Sequence, residues 1–270
     1  MVRVYSTWQE NVGVFCDDPA ICWKASQPKD VAKLRSENSE DALTWQFFRS
    51  IETEGLVSAW AKHFLAIEDQ FRLYYWQRLP DQRSLDADID RCLATIEPYH
   101  TAADRQRTET DLILRGVRNL VMVEVKLGTK EREITGWRQS PTSPVVPHYE
   151  EHAKPLMLRP EDWRATLVRF AQLYKNLMLG RCLAEKWLGG DPGTHAVHLL
   201  AIANGATVDR KSSGDEWTYA DEFAAFRETC VMERGILHIT TWQDLLDWAA
   251  EEQQSPLDFV LTRLRTHPLL

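Results

Sequence analysis

The sequence predicts an α/β fold, with α+β as the alternative, in which a mixed central β-sheet is flanked by helices. Three observations lead there. Helical patterns occupy most of the chain up to about residue 96, a hairpin pattern follows at about 110–127, and helix, strand, helix, strand and helix then alternate to about residue 252. With 44% hydrophobic and 27% charged residues, and only 12 Gly and 12 Pro in 270, the composition is that of a packed chain. It excludes disordered, collagenous and low-complexity classes. The length suits one large domain or two small ones.

After an irregular start, Ser36 to Ser39 offer caps for a helix running to about Ile51. A second helix is expected over 57–78, carrying Trp60, Phe64, Ile67, Phe71, Tyr74 and Tyr75, and a shorter one over 85–96. These are the added helices at the N-terminal side. Residues 110–114 and 120–127 read as two strands joined by the polar turn Arg115 to Asn119. Residues 128–160, with Pro141, Pro144, Pro147 and Pro155, read as a long loop or insertion. One long helix is expected over 161–188, ended by Gly189 and Gly190. A strand over 195–203, a helix over 221–234, a strand over 236–240 and a helix over 242–252 capped by Thr241 complete the order.

Five cysteines, Cys16, Cys22, Cys92, Cys182 and Cys230, contain no CxxC pair. This argues against a disulfide framework or zinc knuckle and for a reducing, cytoplasmic setting. The N-terminus shows no signal-peptide pattern, and no apolar run approaches the ~18 residues of a membrane span. GxGxxG, Walker and GxSxG motifs are missing, which removes nucleotide-driven and serine-hydrolase readings.

The chemistry concentrates in residues 108–128, TETDLILRGVRNLVMVEVKLG. Alternation along a strand sends Val121, Val123, Val125 and Leu127 to one face and Met122, Glu124 and Lys126 to the other. A hairpin of this length brings Asp111 beside Glu124. Two such carboxylates repel unless protonated or bridged by a cation, and hard oxygen ligands select Mg²⁺ or Mn²⁺. Lys126 beside them suits charge stabilisation or activation of water. The plainer alternative makes Glu124 and Lys126 solvated residues of a half-exposed strand and Asp111 a turn residue. On the first helix, Glu40 extends the stripe of Leu43, Phe47 and Ile51 by one turn toward the core, with Glu37 on a neighbouring track.

The series SENSEDALTWQFF, TETDLIL and VMVEVKLG resembles the PD-(D/E)XK nuclease superfamily, with its restriction-endonuclease-like core. The resemblance covers about residues 36–204 and implies a single domain with that core and a C-terminal part at 205–270. It lacks the motif's proline, since Thr110 precedes Asp111. It implies a metal-dependent nuclease, DNA duplex being the favoured substrate over single-stranded DNA or RNA. Asp111, Glu124, the Val125 carbonyl and Glu40 (or Glu37) would hold Mg²⁺ or Mn²⁺, and Lys126 would be the catalytic lysine. Gln172, on the helix after the hairpin, is the candidate supporting residue, and a homodimer is expected by analogy. The competing expectation is a non-catalytic relative that binds nucleic acid or serves assembly.

The net charge of -8 conceals an uneven distribution. Residues 105–138 hold eight basic and five acidic groups, and residues 154–188 hold seven and three. Those segments are the ones expected to meet a phosphate backbone. On the long helix, Arg181 falls within the apolar arc, directed either at a buried acid or phosphate or snorkelling at the core edge. Of the 11 Trp residues, Trp137, in the loop after the hairpin, is the one candidate for contact with DNA, core packing being the stronger reading of those in helices. His195 and His198, three apart on a strand, are read as ordinary strand residues.

Overall fold

A computed structural model describes residues 4–13, 15–36, 39–98, 108–127, 141–188, 196–204, 208–210, 216–232 and 236–252. Glu37, Trp137, Gly189, Gly190, His195 and the segment 128–140 lie outside them. Five strands, β1 (Arg72–Tyr75), β2 (Leu112–Arg115), β3 (Asn119–Val125), β4 (Ala196–Ala203) and β7 (Leu237–Thr241), form one mixed sheet in the order β1-β2-β3-β4-β7. The first three are antiparallel neighbours, and β3, β4 and β7 are parallel. A separate hairpin joins β5 (Val208–Arg210) to β6 (Glu216–Thr218). The chain is therefore mixed α/β with helices on both faces of the sheet.

The irregular start proves to be three short helices, α1 (Trp8–Val12), α2 (Pro19–Ala25) and α3 (Pro28–Leu34). They pack with α4 (Glu40–Thr53) and α5 (Val57–Leu65) on one side of the sheet, in the apolar cluster that holds Val121, Val123, Val125 and Leu127. Ser39 starts α4 by accepting the Ala42 N–H at 3.1 Å. The helix α10 (Trp242–Glu252) closes the same layer, with Thr241 Oγ1 accepting the Asp244 N–H at 3.1 Å as expected. The other side carries α6 (Ala87–Ile96), α7 (Trp163–Arg169), α8 (Ala171–Trp187) and α9 (Tyr219–Arg227), in the cluster of Leu120, Met122, Leu199 and Ala201. The two-face alternation expected of β3 is thus realised with both faces buried. Among the described residues no helix is long and apolar enough to cross a membrane.

Three expectations are corrected. The helix over 57–78 stops at Leu65, because Ala66 turns left-handed (φ 55°) and its N–H bonds the Lys62 carbonyl. Of the aromatic residues beyond it, Tyr74 and Tyr75 belong to β1, and Phe71 directly precedes that strand. Tyr74 and Tyr75 point to opposite, equally buried faces, and a strand apolar on both sides mimics helical spacing. The helix over 161–188 is two, broken at Phe170. Cys92 and Cys182, 90 residues apart, form a disulfide between α6 and α8, with Cα atoms 5.7 Å apart. Neither the odd count nor the spacing of the cysteines signals it. Seven tryptophans among the described residues are buried in the core, Trp45, Trp60, Trp76 and Trp242 fully and Trp163, Trp187 and Trp248 nearly so.

One contact pins the hairpin turn and another sets how closely a helix approaches the sheet. Asp69 accepts N–H bonds from Val117 (3.0 Å), Arg118 (2.9 Å) and Asn119 (3.1 Å), which pins the β2–β3 turn to the chain between α5 and β1. Although partial burial opposes its charge, these N–H bonds hold the Asp69 carboxyl below its ordinary pKa. On the other face, α8 rests on β3 and β4 at Gly180. A Cβ there would lie 2.7 Å from Val197 Cγ1 and 2.9 Å from Met122 Cγ. Gly180→Ala is therefore expected to destabilise the fold by about 1–3 kcal/mol through overpacking, despite alanine's better helix propensity. Chemical denaturation reads this, and an unchanged or raised stability would contradict so close a contact.

Candidate active site

Where β3 ends, the chain brings together residues from four separate segments. The ladder pairs Leu112 with Val123, so Asp111 stands opposite Glu124 as the hairpin length implied. Asp111 Oδ2 accepts the Val125 N–H at 2.8 Å. Glu124 has no exposed surface, and Lys126 retains only 8% exposure. The picture of Glu124 and Lys126 as solvated strand residues is therefore overturned. Lys126 Nζ lies 2.6 Å from Glu124 Oε1 and 4.0 Å from Glu40 Oε2. The first contact is an ion pair by distance, although Oε1 takes no hydrogen bond of good angle.

Glu40, the first residue of α4, accepts the Leu127 N–H on Oε1 at 2.8 Å. The carboxylate that the apolar stripe aimed inward thus ties α4 to the end of β3.

The helix partner of Glu124 is Asn176, one turn beyond Gln172. Asn176 Nδ2 donates to Glu124 Oε2 at 2.9 Å, and Thr110 Oγ1 donates to Asn176 Oδ1 at 2.8 Å. This chain orients the amide and fills the second carboxylate oxygen. Gln172 is half-buried on α8, and the hydrogen bond from this helix to the acidic pair comes from Asn176 instead. The resemblance calls for a polar residue on this helix without fixing which, and α8 is buried nearly all round: Leu173, Tyr174, Lys175, Asn176, Leu177, Met178 and Leu179 are all inside. No apolar stripe separates the supporting polar residue from its neighbours. The need of Thr110 for a partner follows from its burial next to Asp111, which the fold alone reveals.

Behind Asn176, Lys175 Nζ pairs with the fully buried Glu97 at 3.0 Å. Glu97 also accepts from Tyr149 Oη (2.8 Å), the Thr108 N–H (2.8 Å) and Thr108 Oγ1 (2.6 Å). Burial opposes the Glu97 charge, but Lys175 and Thr108 outweigh it and hold the carboxyl below its ordinary pKa. The expected basic helix face is thus partly spent inside the fold. Lys175 is committed to Glu97, and Arg169 makes two 2.9 Å bonds to Glu222. Arg181 is exposed, consistent with a side chain at the core edge.

The electrostatics of the acidic pair are strained. Burial, then the Glu124 charge, push the Asp111 pKa well above the carboxylate range, with Lys126 opposing. Glu124 is raised by burial, against Lys126 and Asn176. Burial would strip the proton from Lys126, yet Glu124, Glu40 and Asp111 outweigh it and keep the amine firmly cationic. Among the described residues no three acid, histidine or cysteine side chains stand as a ready metal cage. The donor set nevertheless suits a hard divalent ion, because two buried carboxylates compete for one ammonium and a further positive charge would relieve them.

His198, inside the fold on β4, bonds His238 (Nδ1 to Nε2, 3.1 Å) and Asn119 (Nε2 to Oδ1, 3.2 Å). Burial, then the second imidazole, lower its pKa to about 4, so the pair is neutral at pH 7. Asn119 begins β3 and Glu124 stands near its end, so the histidine pair belongs to the opposite end of the sheet.

Two outcomes test this geometry. Asp111 titrates above its unfolded value, so its penalty is absent below about pH 4 and grows as pH rises through the folded pKa. In metal-free buffer, Asp111→Asn is expected to raise the thermal midpoint at pH 7 by a few degrees, and the gain is expected to vanish near pH 3. A gain that persists at pH 3 would dissociate it from ionisation. Glu97→Ala leaves Lys175 buried without its counter-charge and is expected to cost about 3–5 kcal/mol. Recovery of most of that loss on adding Lys175→Met, seen by denaturation, would identify the unpaired ammonium as the cause.

No family model, no curated protein and no solved structure matches this chain, so the candidate site rests on its own geometry.

Proposed function

We propose that the chain is a metal-dependent nuclease with a restriction-endonuclease-like core, cutting phosphodiester bonds in DNA. The observation that carries this reading is the convergence of Asp111, Glu124 and Lys126 in a buried cluster at the end of β3, with Glu40 arriving from α4. The order of the parts supports it. A helix bearing an acid precedes a hairpin bearing the aspartate and the ExK sequence, and a supporting helix and a parallel strand β4 follow.

Asp111, Glu124, Glu40 and the Val125 carbonyl would hold Mg²⁺ or Mn²⁺. When bound, such an ion offsets the carboxylates and lowers the pKa of water at the site. The chain's own residues account for the rest. Asn176 and Thr110 hold the Glu124 carboxylate in one orientation, so its charge needs no rearrangement when substrate arrives. Lys126, kept protonated by three acids, is suited to meet negative charge growing on the scissile phosphate rather than to begin as a base. A non-catalytic relative would have no use for a buried ammonium and two competing carboxylates, whose ionic burden costs stability.

The test is a cleavage assay on plasmid, linear duplex, single-stranded DNA and RNA with Mg²⁺, Mn²⁺ or EDTA. Cutting that needs the divalent ion, favours duplex DNA and falls at least ~100-fold in Lys126→Ala and Asp111→Ala is expected. Circular dichroism establishes that the variants fold. A folded Lys126→Ala protein with wild-type activity would sink the mechanism. DNA binding without cleavage under every condition would favour the non-catalytic relative, and preferential RNA cutting would reassign the substrate.

A further inference from the structure

Tyr219 opens α9, where Thr218 and Asp221 form a capping box: Thr218 Oγ1 accepts the Asp221 N–H at 3.2 Å and Asp221 Oδ2 accepts the Thr218 N–H at 2.9 Å. The helix is also tied to α7 through Arg169 and Glu222. It packs on β4 and β7, on the sheet face that carries Met122 and Glu124. Ala201 sits directly beside Glu124 in the ladder, and Ala201 and Ala203 present only methyl groups to this layer. The Tyr219 ring is packed there with 5% exposure, and its hydroxyl has no hydrogen-bond partner among the described residues.

A buried phenol without a partner costs about 1–3 kcal/mol, and phenylalanine would fill the same space without that cost. The ring lies on the sheet face that carries the acidic pair. Burial and the charges of Glu124, Asp111 and Glu40, against Lys126, hold its proton in place. It is thus a neutral donor on the Glu124 side of the sheet with its hydrogen uncommitted.

We propose that Tyr219 is a further catalytic residue, its hydroxyl donating a hydrogen bond to a non-bridging oxygen of the scissile phosphate. This rests on the nuclease reading given above. The phenol does not transfer its proton. It adds a second donor for the growing phosphate charge, and it comes from a segment beyond the region that carries the family resemblance.

Tyr219→Phe tests the assignment on whichever substrate the wild-type protein cuts. Cleavage kcat is expected to fall ~10–100-fold with KM changed less than ~3-fold, while the thermal midpoint without substrate stays equal or rises. In Mn²⁺, a phosphorothioate at one non-bridging position of the scissile phosphate is expected to bring the two proteins to nearly equal rates, since sulfur is a poor acceptor. An unchanged kcat overturns the proposal. A lowered midpoint overturns it too, because the hydroxyl would then have a structural partner. So does a rate loss that persists unchanged at both phosphorothioate positions. Failure of the wild-type protein to cut any substrate removes the nuclease reading and this inference together, whereas wild-type cutting with full Tyr219→Phe activity removes only this one.

Discussion

Burial of β3 on both faces is the constraint around which the molecule is arranged. The strand lies at the centre of the sheet, antiparallel to β2 on one side and parallel to β4 on the other, with a helical layer above and below. A glutamate in such a position has no water to solvate it, and its charge survives only with partners on every side. Lys126 meets one oxygen and Asn176 the other, and Asn176 in turn is held by Thr110. The position of α8 over the sheet is thereby coupled to the charge on Glu124. Gly180, which lets the helix approach closely, serves the same coupling from the next turn.

Asp111 is placed by a second piece of strained architecture. Trp76 and Gln77, neither of them glycine, adopt left-handed φ angles of 47° and 68° in a tight turn closed by mutual backbone bonds between Tyr75 and Arg78. Such conformations cost about 1–2 kcal/mol each for residues with a Cβ. The Trp76 N–H bonds the Asp111 carbonyl at 3.2 Å, and its indole donates to Asp41 at 2.9 Å. Lys24, almost fully buried on α2, reaches Asp41 (3.5 Å) and Glu109 (2.5 Å) and lies over the Trp76 ring. The short N-terminal helices therefore neutralise acids next to the site that would otherwise add to the repulsion at Asp111.

Much of the site was legible because strands have a rigid period. Alternation alone put Glu124 and Lys126 on one face, and the turn length put Asp111 opposite Glu124. Glu40 was readable from the stripe it extends. What escaped notice shares a physical cause. Tyr74 and Tyr75, and the residues around Asn176, are buried on every side, and amphipathic patterns vanish where no face meets solvent. Lys175 read as part of a basic surface because composition does not reveal that Glu97 lies behind it. The Cys92–Cys182 bridge escaped because pairing across 90 residues depends on how α6 meets α8, which no local pattern encodes.

The hydrogen bonds that assemble the cluster span very different lengths of chain. Asp111 and Val125 are 14 residues apart, Glu124 and Asn176 are 52 apart, and Glu40 and Leu127 are 87 apart. Hairpins close in microseconds, whereas distant pairings wait on the collapse of everything between them. The two-stranded ribbon holding both acids can therefore form long before the helices that neutralise it arrive. During that interval Asp111 and Glu124 face water, where their repulsion is screened and harmless. The electrostatic burden of the site falls due only in the last stage of folding, when packing energy from both layers is there to meet it.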